Sequence, residues 1–171
     1  MSRRFKGESV HKVDAKGRVS IPAQFRRVLE EGDPDWVAGA APSLVVIHGR
    51  TEARRLECFT IRAMEQLDDL VSSMNAFDDD TDDLAYVLNS QAAYVSLDDT
   101  GRIVLSQKLR DAAGLGDEAT FSGMGDRFDI WESGAYAAHA AEMAARRHAR
   151  GGAGVAQLLE KARRERAGGG A

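Results

Sequence analysis

Two segments of the chain, residues 14–18 and 98–102, begin with an aspartate and end with a glycine followed by an arginine. Glycine takes positive φ at little cost, which a tight turn between two strands often requires. The aspartate can accept backbone N–H bonds within such a turn and hold the arginine in place. A held guanidinium loses less entropy on binding a phosphate or a base edge, and its planar fork suits guanine in the major groove. The spacing therefore predicts two arginine-tipped turns.

The same spacing fits a turn in which the aspartate and the arginine only pair with each other, a contact worth about 0 to 1 kcal/mol at a surface. Repetition of the motif favours recognition of nucleic acid instead, because a pseudo-two-fold arrangement of the two copies would bring both turns onto one side of the molecule. The first copy is also flanked by cations: Lys12, Lys16, Arg26 and Arg27. We therefore interpret the turns as nucleic-acid contacts.

The two motifs belong to an internal repeat. Residues 13–26 align with residues 97–110, 84 positions further on, and the apolar positions match in kind. Each copy is predicted to run strand, turn, strand, short helix, strand, loop, strand. After the helix, two further pairs of segments correspond: residues 44–49 with 119–123, and residues 56–59 with 128–131.

The size of each copy predicts how the two combine. About 40 to 50 residues bury too little surface to be stable alone, so the copies should share one core. The expected fold class is α+β, with two tandem β-α-β repeats forming a small closed β-barrel about a pseudo-two-fold axis, and with flanking helices. Phe121, Phe128 and Trp131 fall on strand positions of the repeat and are expected in the barrel core.

Helix ends within the repeats carry recognisable boundary residues. In the first copy, Pro22 is expected as the first helical residue, where a missing N–H costs nothing, and Gly32 should end the helix. In the second copy, Ser106 should cap the amino end, and Gly114 should supply the left-handed residue after the last turn.

The chain divides into four predicted regions. These are a first repeat over residues 5–59, a helical connection over 60–92, a second repeat over 93–131, and an Ala/Arg/Gly-rich tail over 132–171. Helices in the connection and tail are predicted at residues 61–73, 82–90, 135–150 and 155–166, with Gly151, Gly152 and Gly154 breaking the tail. The glycine-rich end is predicted to be disordered.

Charge is distributed unevenly along the 171 residues. The net charge is −4, but residues 1–27 carry +6, residues 146–171 carry +5, and the segment between them carries −15. Such a field attracts a polyanion at one face and repels it elsewhere, which orients binding. The acidic average is therefore compatible with a nucleic-acid partner.

Composition disfavours several other classes of protein. The single cysteine, Cys58, excludes an intramolecular disulfide framework and a Cys-rich zinc site, and its apolar strand context indicates a core residue. The acidic run at residues 78–83 lacks the ligand pattern of a calcium-binding EF-hand loop. No nucleophile–base or paired-carboxylate constellation stands out, so we expect no catalytic residue, no metal site and no cofactor. No stretch of 18 apolar residues occurs, and we expect a cytoplasmic protein without a membrane or small-molecule partner.

Four stretches together resemble the MraZ family of bacterial transcription regulators: residues 5–7, 13–22, 98–103 and 128–131. The likeness runs from about Arg4 to Trp131 and includes both D-x-x-x-R motifs. It implies an AbrB-like swapped-hairpin fold and a homo-oligomeric ring. It also implies binding of double-stranded DNA at short direct repeats upstream of the division and cell-wall gene cluster, with repression as the typical outcome. The resemblance thus predicts a nucleoid-associated repressor that is not an enzyme.

The resemblance assigns DNA-facing residues position by position. The family's DNA-facing loop falls on residues 14–18, and its second-copy counterpart on residues 98–102. Thr100 stands where the first loop has Lys16, so the first loop should carry more of the affinity. Lysines are expected to neutralise phosphates, and the arginines to reach base edges. The candidate DNA-binding residues are Arg4, Lys6, Lys12, Asp14, Lys16, Gly17, Arg18, Gly101 and Arg102.

Two other functions stay open at the level of sequence. An antitoxin-type swapped-hairpin protein would bind DNA and wrap a toxin with its carboxyl-terminal arm, although such proteins usually carry one barrel copy per chain. A ring-forming interaction scaffold that uses the acidic middle and has no DNA affinity is the alternative outside DNA binding. No motif assigns a role to residues 145–171.

Overall fold

The computed structural model of the chain describes residues 3–50, 52–151 and 154–168. Contacts divide the chain into two units, residues 1–133 and residues 134–171. Within the described residues, both copies of the repeat and the helical connection lie in the first unit, and the second unit is helical.

Each repeat has the element order that the sequence predicts. The first contains β1 (Glu8–Lys12), β2 (Arg18–Ser20), α1 (Ala23–Glu31), β3 (Ser43–Ile47) and β4 (Arg55–Thr60). The connection contains α2 (Ile61–Ser72) and α3 (Asp79–Ala85), which continues as a π-helical turn at Tyr86–Ser90. The second repeat contains β5 (Ala92–Ser96), β6 (Arg102–Val104), α4 (Gln107–Ala113), β7 (Glu118–Gly123) and β8 (Arg127–Trp131). Two further helices follow, α5 (Ser133–Ala149) and α6 (Gly154–Gly168).

The two repeats exchange strands. An antiparallel sheet has the order β1-β7-β8-β4-β3-β5, and β2 pairs with β6 in a separate two-stranded ribbon. Every strand therefore has a neighbour from the other repeat. In the centre of the large sheet Cys58 lies opposite Phe128, and in the ribbon Val19 lies opposite Ile103. This sharing fits two copies that are too small to be stable alone.

The prediction of a closed barrel is wrong in one respect, because β1 and β5 are open edges of the six-stranded sheet. Strands β2 and β6 have three residues each, and they pair with each other. The ribbon therefore does not extend the ladders of β1 and β5, and the strands of the described residues complete no continuous ring.

Aromatic side chains from both repeats meet at the centre of the core. The ring centroids of Phe5 and Phe25 lie 5.3 Å apart, and those of Phe25 and Phe128 lie 5.1 Å apart. A pair of this kind adds about 0.5 to 1.5 kcal/mol beyond its buried area. Trp131 and Cys58 are buried as predicted, and burial raises the pKa of the Cys58 thiol.

Three of the four predicted helix boundaries are confirmed. Ser106 Oγ accepts the N–H of Leu109 at 3.3 Å, Gly114 has φ 63°, and Gly32 ends α1. Pro22 lies one position earlier than predicted. It is the residue before the helix, with ψ 137°, and its carbonyl already accepts an intrahelical bond, which is the behaviour of an N-cap.

The connection covers one face of the sheet. Helix α2 agrees with the predicted helix over residues 61–73, whereas the helix predicted over 82–90 begins earlier, at Asp79. Asp78 explains the shift, because its side chain accepts the N–H of Asp80 at 3.1 Å and the acidic first turn suits the helix dipole. A second apolar cluster joins these helices to the sheet: Val45, Ile47, Phe59, Met64 and Leu88.

In the second unit, α5 and α6 agree with the predicted helices to within two residues at each end. Gly151 has φ 73° and lies between them, as predicted for a break. Gly154 differs from the prediction, because it is the first residue of α6. Gly152 and residues 169–171, predicted as part of the break and of the disordered end, lie outside the described residues.

The described residues contain neither a membrane-spanning helix nor a metal-binding cluster. None of the helices there is long and apolar enough to cross a membrane. Nor do three or more His, Cys, Asp or Glu side chains of these residues come together as a metal site. The acidic run at residues 78–83 forms the cap and first turn of α3.

A buried charge cluster at the centre of the sheet was not predicted from the sequence. Glu57 of β4 and Asp129 of β8 lie opposite each other and are each 2% exposed. Arg50 donates from Nε and Nη2 to Glu57 at 2.5 and 2.6 Å. Nε of Arg127 lies 3.0 Å from Glu57 and 3.1 Å from Asp129, and Nε of Arg55 lies 3.4 Å from Asp129.

Burial and the arginines act in opposite directions on these two carboxylates. Burial alone would raise the pKa of Glu57, but Arg50, Arg127 and Arg55 outweigh it, and the pKa lies below its ordinary value. For Asp129 burial dominates and the pKa is raised. Because both carboxylates share the same arginines, the cluster joins the central strands of the two repeats.

Glu57→Ala should lower the free energy of unfolding by about 3 to 5 kcal/mol, because it leaves mostly buried arginines without their acceptor. Urea unfolding followed by circular dichroism measures the change. Glu31→Ala is the control, since it breaks an exposed ion pair with Arg3 and should cost less than about 1 kcal/mol. Equally small losses in both variants would contradict a structural role for the cluster.

Candidate nucleic-acid interface

The first predicted turn is held by its own aspartate. Oδ1 of Asp14 accepts the backbone N–H groups of Lys16 and Arg18, both at 2.9 Å. Oδ2 accepts Nε of Arg18 at 2.6 Å. Gly17 has φ 81° and donates its N–H to the carbonyl of Asp14 at 2.9 Å. One carboxylate therefore fixes both the loop and the direction of the guanidinium, as the spacing predicts.

The second turn repeats this geometry. Oδ1 of Asp98 accepts the N–H groups of Thr100 and Arg102 at 2.9 Å, and Oδ2 accepts Nε of Arg102 at 2.9 Å. Gly101 has φ 79°. Thr100 adds a hydroxyl bond to Oδ1 at 2.7 Å. The second turn thus gains an internal hydrogen bond at the position where the first carries a lysine charge.

Each arginine keeps its terminal nitrogens available. Side chains of Arg18 and Arg102 are 39% and 38% exposed, and only Nε of each is bonded to its aspartate. Within the described ranges, the terminal nitrogens bond to no protein acceptor. A guanidinium fixed at Nε with free terminal N–H groups suits recognition of a base edge or a phosphate.

Hydrogen bonds within the turns lower the pKa of both aspartates. For Asp14 the main cause is the N–H of Arg18, followed by the side chain of the same residue. For Asp98 the main cause is the N–H of Arg102, followed by the hydroxyl of Thr100. Both carboxylates therefore stay ionised, and keep their arginines in place, below the pH of 3.8 at which a free aspartate is half protonated.

The ribbon of β2 and β6 brings the two arginines together. Val19 and Ile103 are buried beneath it, so the alternation of side chains places Arg18 and Arg102 on its outer face. Arg102 lies opposite Ser20, which makes the two arginines diagonal neighbours, with Cα atoms about 7 to 8 Å apart. Both line the same open depression.

Backbone hydrogen bonds tie each turn to the other repeat. The N–H of Ile21 donates to the carbonyl of Gly101 at 2.9 Å, and the N–H of Leu105 donates to the carbonyl of Gly17 at 2.8 Å. Each bond begins after the short strand of one repeat and ends in the turn of the other. Neither turn can therefore shift without disturbing the other repeat.

The depression between the arginines has mixed charge, whereas a basic surface was expected there. Cations and carboxylates line it in equal number: Lys12, Arg18 and Arg102 with Asp14, Asp117 and Glu118. Further positive charge lies at the tip of the first turn, where Lys16 is exposed. The flank formed by the start of β7 is acidic.

Seven of the nine predicted DNA-binding residues lie in or beside the two turns, and two do not. Lys6 precedes β1 and Lys12 ends it, so the length of that strand, about 13 Å, separates them. Arg4 lies beside Gly125 and lines a different pocket, together with Arg62 at the start of α2. DNA contact by Arg4 and Lys6 stays a prediction, but these residues are not part of the arginine face.

The residues that cover the two turn glycines were missed as site residues. Arg26 of α1 covers Gly101, and Arg110 of α4 covers Gly17. The repeat contained a signal, because Arg26 and Arg110 occupy matching positions of the alignment. Their crossing to the opposite turn depends on which strands pair, and the alignment alone carries no such information.

The fold and the site define a class of α+β proteins in which two strand-exchanged repeats present aspartate-anchored arginine turns on one face. A family model described as "MraZ protein, putative antitoxin-like" matches residues 4–85 and 88–151. The chain belongs to the MraZ family. Residues 152–171, which include α6, lie beyond the match.

Relatives named transcriptional regulator MraZ are similar over most of the chain. The protein of Ruegeria pomeroyi is 46% identical over 136 residues, which cover 80% of this chain and 81% of the relative. That of Cereibacter sphaeroides is 40% identical over 148 residues, covering 82% and 87%. That of Parvibaculum lavamentivorans is 38% identical over 138 residues, covering 81% of each chain.

NMR titration of the side-chain carboxyl groups should give midpoints below 3.8 for both Asp14 and Asp98. Arg18→Ala should raise the midpoint of Asp14 but leave it below 3.8, because the backbone N–H bond, the larger cause, is kept. Asp98 is the internal control and should not move. An unchanged midpoint of Asp14 in this variant would contradict the side-chain contact.

Proposed function

We propose that this protein is a sequence-specific, DNA-binding transcriptional regulator that represses by occupying short direct repeats upstream of the division and cell-wall gene cluster. The observation that carries the proposal is the outer face of β2 and β6, where Arg18 and Arg102 are diagonal neighbours whose terminal nitrogens bond to no acceptor among the described residues. Relatives that are similar over about four fifths of this chain are named transcriptional regulator, and this name supports the proposal.

In this proposal the arginines read bases and the lysines hold the backbone. A guanidinium that is fixed at Nε can offer two parallel N–H bonds to the O6 and N7 atoms of guanine. Lys12 and Lys16 neutralise phosphates beside it and set the register of the duplex. The acidic rim at Asp117 and Glu118 repels phosphate on the other side. Mixed charge thus orients the duplex on the ribbon.

The exchanged strands support a swapped-hairpin fold, and the small contact area of one chain favours assembly. Two turns per chain offer few contacts, so the affinity of one copy should be modest. A homo-oligomeric ring that presents many copies to several spaced DNA boxes gains by effective concentration, which explains direct repeats better than a single palindrome would. Repression then follows from occlusion of the promoter by a cytoplasmic, nucleoid-associated assembly.

The family description also mentions antitoxins, and this gives a second candidate function. An antitoxin of the swapped-hairpin type would use its carboxyl-terminal arm on a toxin, and α5 and α6 are the elements available for that role. The two repeats fused in this chain favour the regulator, because a single chain already supplies both turns of the DNA-facing unit.

Arg18→Ala should weaken binding to a duplex from immediately upstream of the protein's own gene by about 10- to 100-fold, because it removes a bidentate donor. Fluorescence anisotropy at one fixed salt concentration measures the affinity. Arg62→Ala removes the same charge from the exposed start of α2 and should have little effect. Unchanged affinity of Arg18→Ala would refute the arginine assignment, and no binding by the wild type at moderate salt would favour the scaffold.

Lys16→Ala should reduce the steepness of the fall in log affinity with log salt concentration by about 0.9 for each such turn in contact with DNA. It should weaken binding to specific and unrelated duplexes equally. Thr100→Lys places a lysine at the matching position of the second turn and should increase both the affinity and its salt dependence. Salt titrations on the two duplexes measure the affinity and its salt dependence. A loss confined to the specific duplex would show that Lys16 does not act on phosphates.

A further inference from the structure

Each arginine turn is covered by an arginine from the other repeat. A Cβ added to Gly101 would collide with a terminal nitrogen of Arg26 and lie 2.7 Å from its Cδ. A Cβ added to Gly17 would lie 3.1 Å from Nε of Arg110 and collide with the carbonyl oxygen of Leu105. Arg26 belongs to the first repeat and Gly101 to the second, and the reverse holds for the other pair. The coverage therefore crosses between the repeats in both directions.

Two features of each turn favour glycine. The φ values of 81° at Gly17 and 79° at Gly101 lie in the region that side chains disfavour. In addition, the space beside each glycine is occupied: a Cβ at Gly17 would collide with the backbone carbonyl of Leu105, and a Cβ at Gly101 would require the side chain of Arg26 to move. Both glycines are buried as a result, although they lie at the tips of surface turns.

Carboxylates do not hold the guanidinium groups of Arg26 and Arg110 among the described residues. Arg110 donates Nη2 to Gln107 at 2.9 Å, and its Nε is buried without a hydrogen-bond partner among the described residues. The side chain of Arg26 is half-buried and forms no hydrogen bond or ion pair within the described ranges. The guanidinium of Arg26 thus lies against Gly101 of the opposite turn.

Resting on the proposed DNA-binding function, we propose that Arg26 and Arg110 are positioning residues for the turns of the opposite repeat. Gly101 directly precedes Arg102, and Gly17 directly precedes Arg18. Hydrogen bonds to its aspartate and to the opposite repeat hold each turn, and the covering guanidinium packs against its glycine. Loss of the cover therefore removes one of the contacts that set the direction of the following arginine toward DNA. Arg26 therefore acts through Arg102, and Arg110 acts through Arg18, so that each DNA-facing turn is completed by the other half of the chain.

This role differs from two simpler ones in what it predicts for DNA. A cation that only touched phosphate would strengthen binding to every duplex equally. A side chain that only stabilised the fold would change the unfolding temperature and leave the choice between sequences unaltered. A positioning residue changes the ratio of affinities for specific and unrelated DNA, because it aims the arginine that reads the base.

The test is a pair of double-mutant cycles, with the ratio of affinities for the upstream duplex and for a shuffled duplex of equal length as the readout. Arg26→Ala should lower this ratio about as much as Arg102→Ala does, and add less than about twofold when Arg102→Ala is already present. In the Arg18→Ala background it should keep its full effect. The mirror cycle pairs Arg110→Ala with Arg18→Ala. Arg27→Ala, one residue along α1 and exposed, is the matched control for loss of a flanking cation: any loss of affinity should be equal on the two duplexes and leave the ratio unaltered.

Arg26→Lys separates charge from positioning, because it keeps a cation but lacks the planar group that covers Gly101. This variant should keep the wild-type affinity for the shuffled duplex but lower the ratio of affinities for the upstream and shuffled duplexes. Three results would each overturn the positioning role. Arg26→Ala could weaken affinity for both duplexes equally, or its effect could be coupled to Arg18→Ala instead of Arg102→Ala. It could also lower the unfolding midpoint and leave the ratio of affinities unchanged. If Arg18→Ala and Arg102→Ala lower the ratio while Arg26→Ala and Arg110→Ala do not, this inference alone fails. If the wild type binds neither duplex, the proposed function fails with it.

Discussion

The reciprocal backbone bonds between the turns and the opposite short strands are the constraint on which the DNA-facing surface depends. Three-residue strands such as β2 and β6 are too short to be stable as an isolated pair. They persist here because Val19 and Ile103 are buried in the common core and because Gly17 and Gly101 accept bonds from the other repeat. The ribbon is therefore held to the core beneath it, and the arginines on its outer face are oriented before DNA arrives.

The two faces of the sheet join the two halves of the chain by different chemistry. Alternation along β4 sends Leu56 and Cys58 to the aromatic core and Glu57 to the opposite side. There Glu57 meets Asp129, and the arginines around them outweigh the burial of Glu57 and offset part of the burial of Asp129. Apolar packing thus joins the two halves on one side of the sheet, and on the other side the charged cluster links β4 to β8.

Local features were predictable from the sequence because local chemistry determines them. The two Asp-x-x-Gly-Arg turns, the cap at Ser106 and the left-handed Gly114 depend on residues within a few positions of each other. Strand pairing was harder, since the repeat indicated a shared core but not that β2 and β6 would leave β1 and β5 as open edges. The cluster at Glu57 and the cover of the glycines were not found, because both arise only when residues of the two repeats are brought together.

The central claim is that the outer face of the β2–β6 ribbon meets DNA. Ser20 lies on that face opposite Arg102, and Cys58, the single native cysteine, is buried, so a photo-crosslinker can be attached selectively to Ser20→Cys. With the upstream duplex bound, this variant should crosslink to DNA in high yield, and Ser72→Cys at the exposed end of α2 should not. Crosslinking from Ser72 and not from Ser20 would contradict the account.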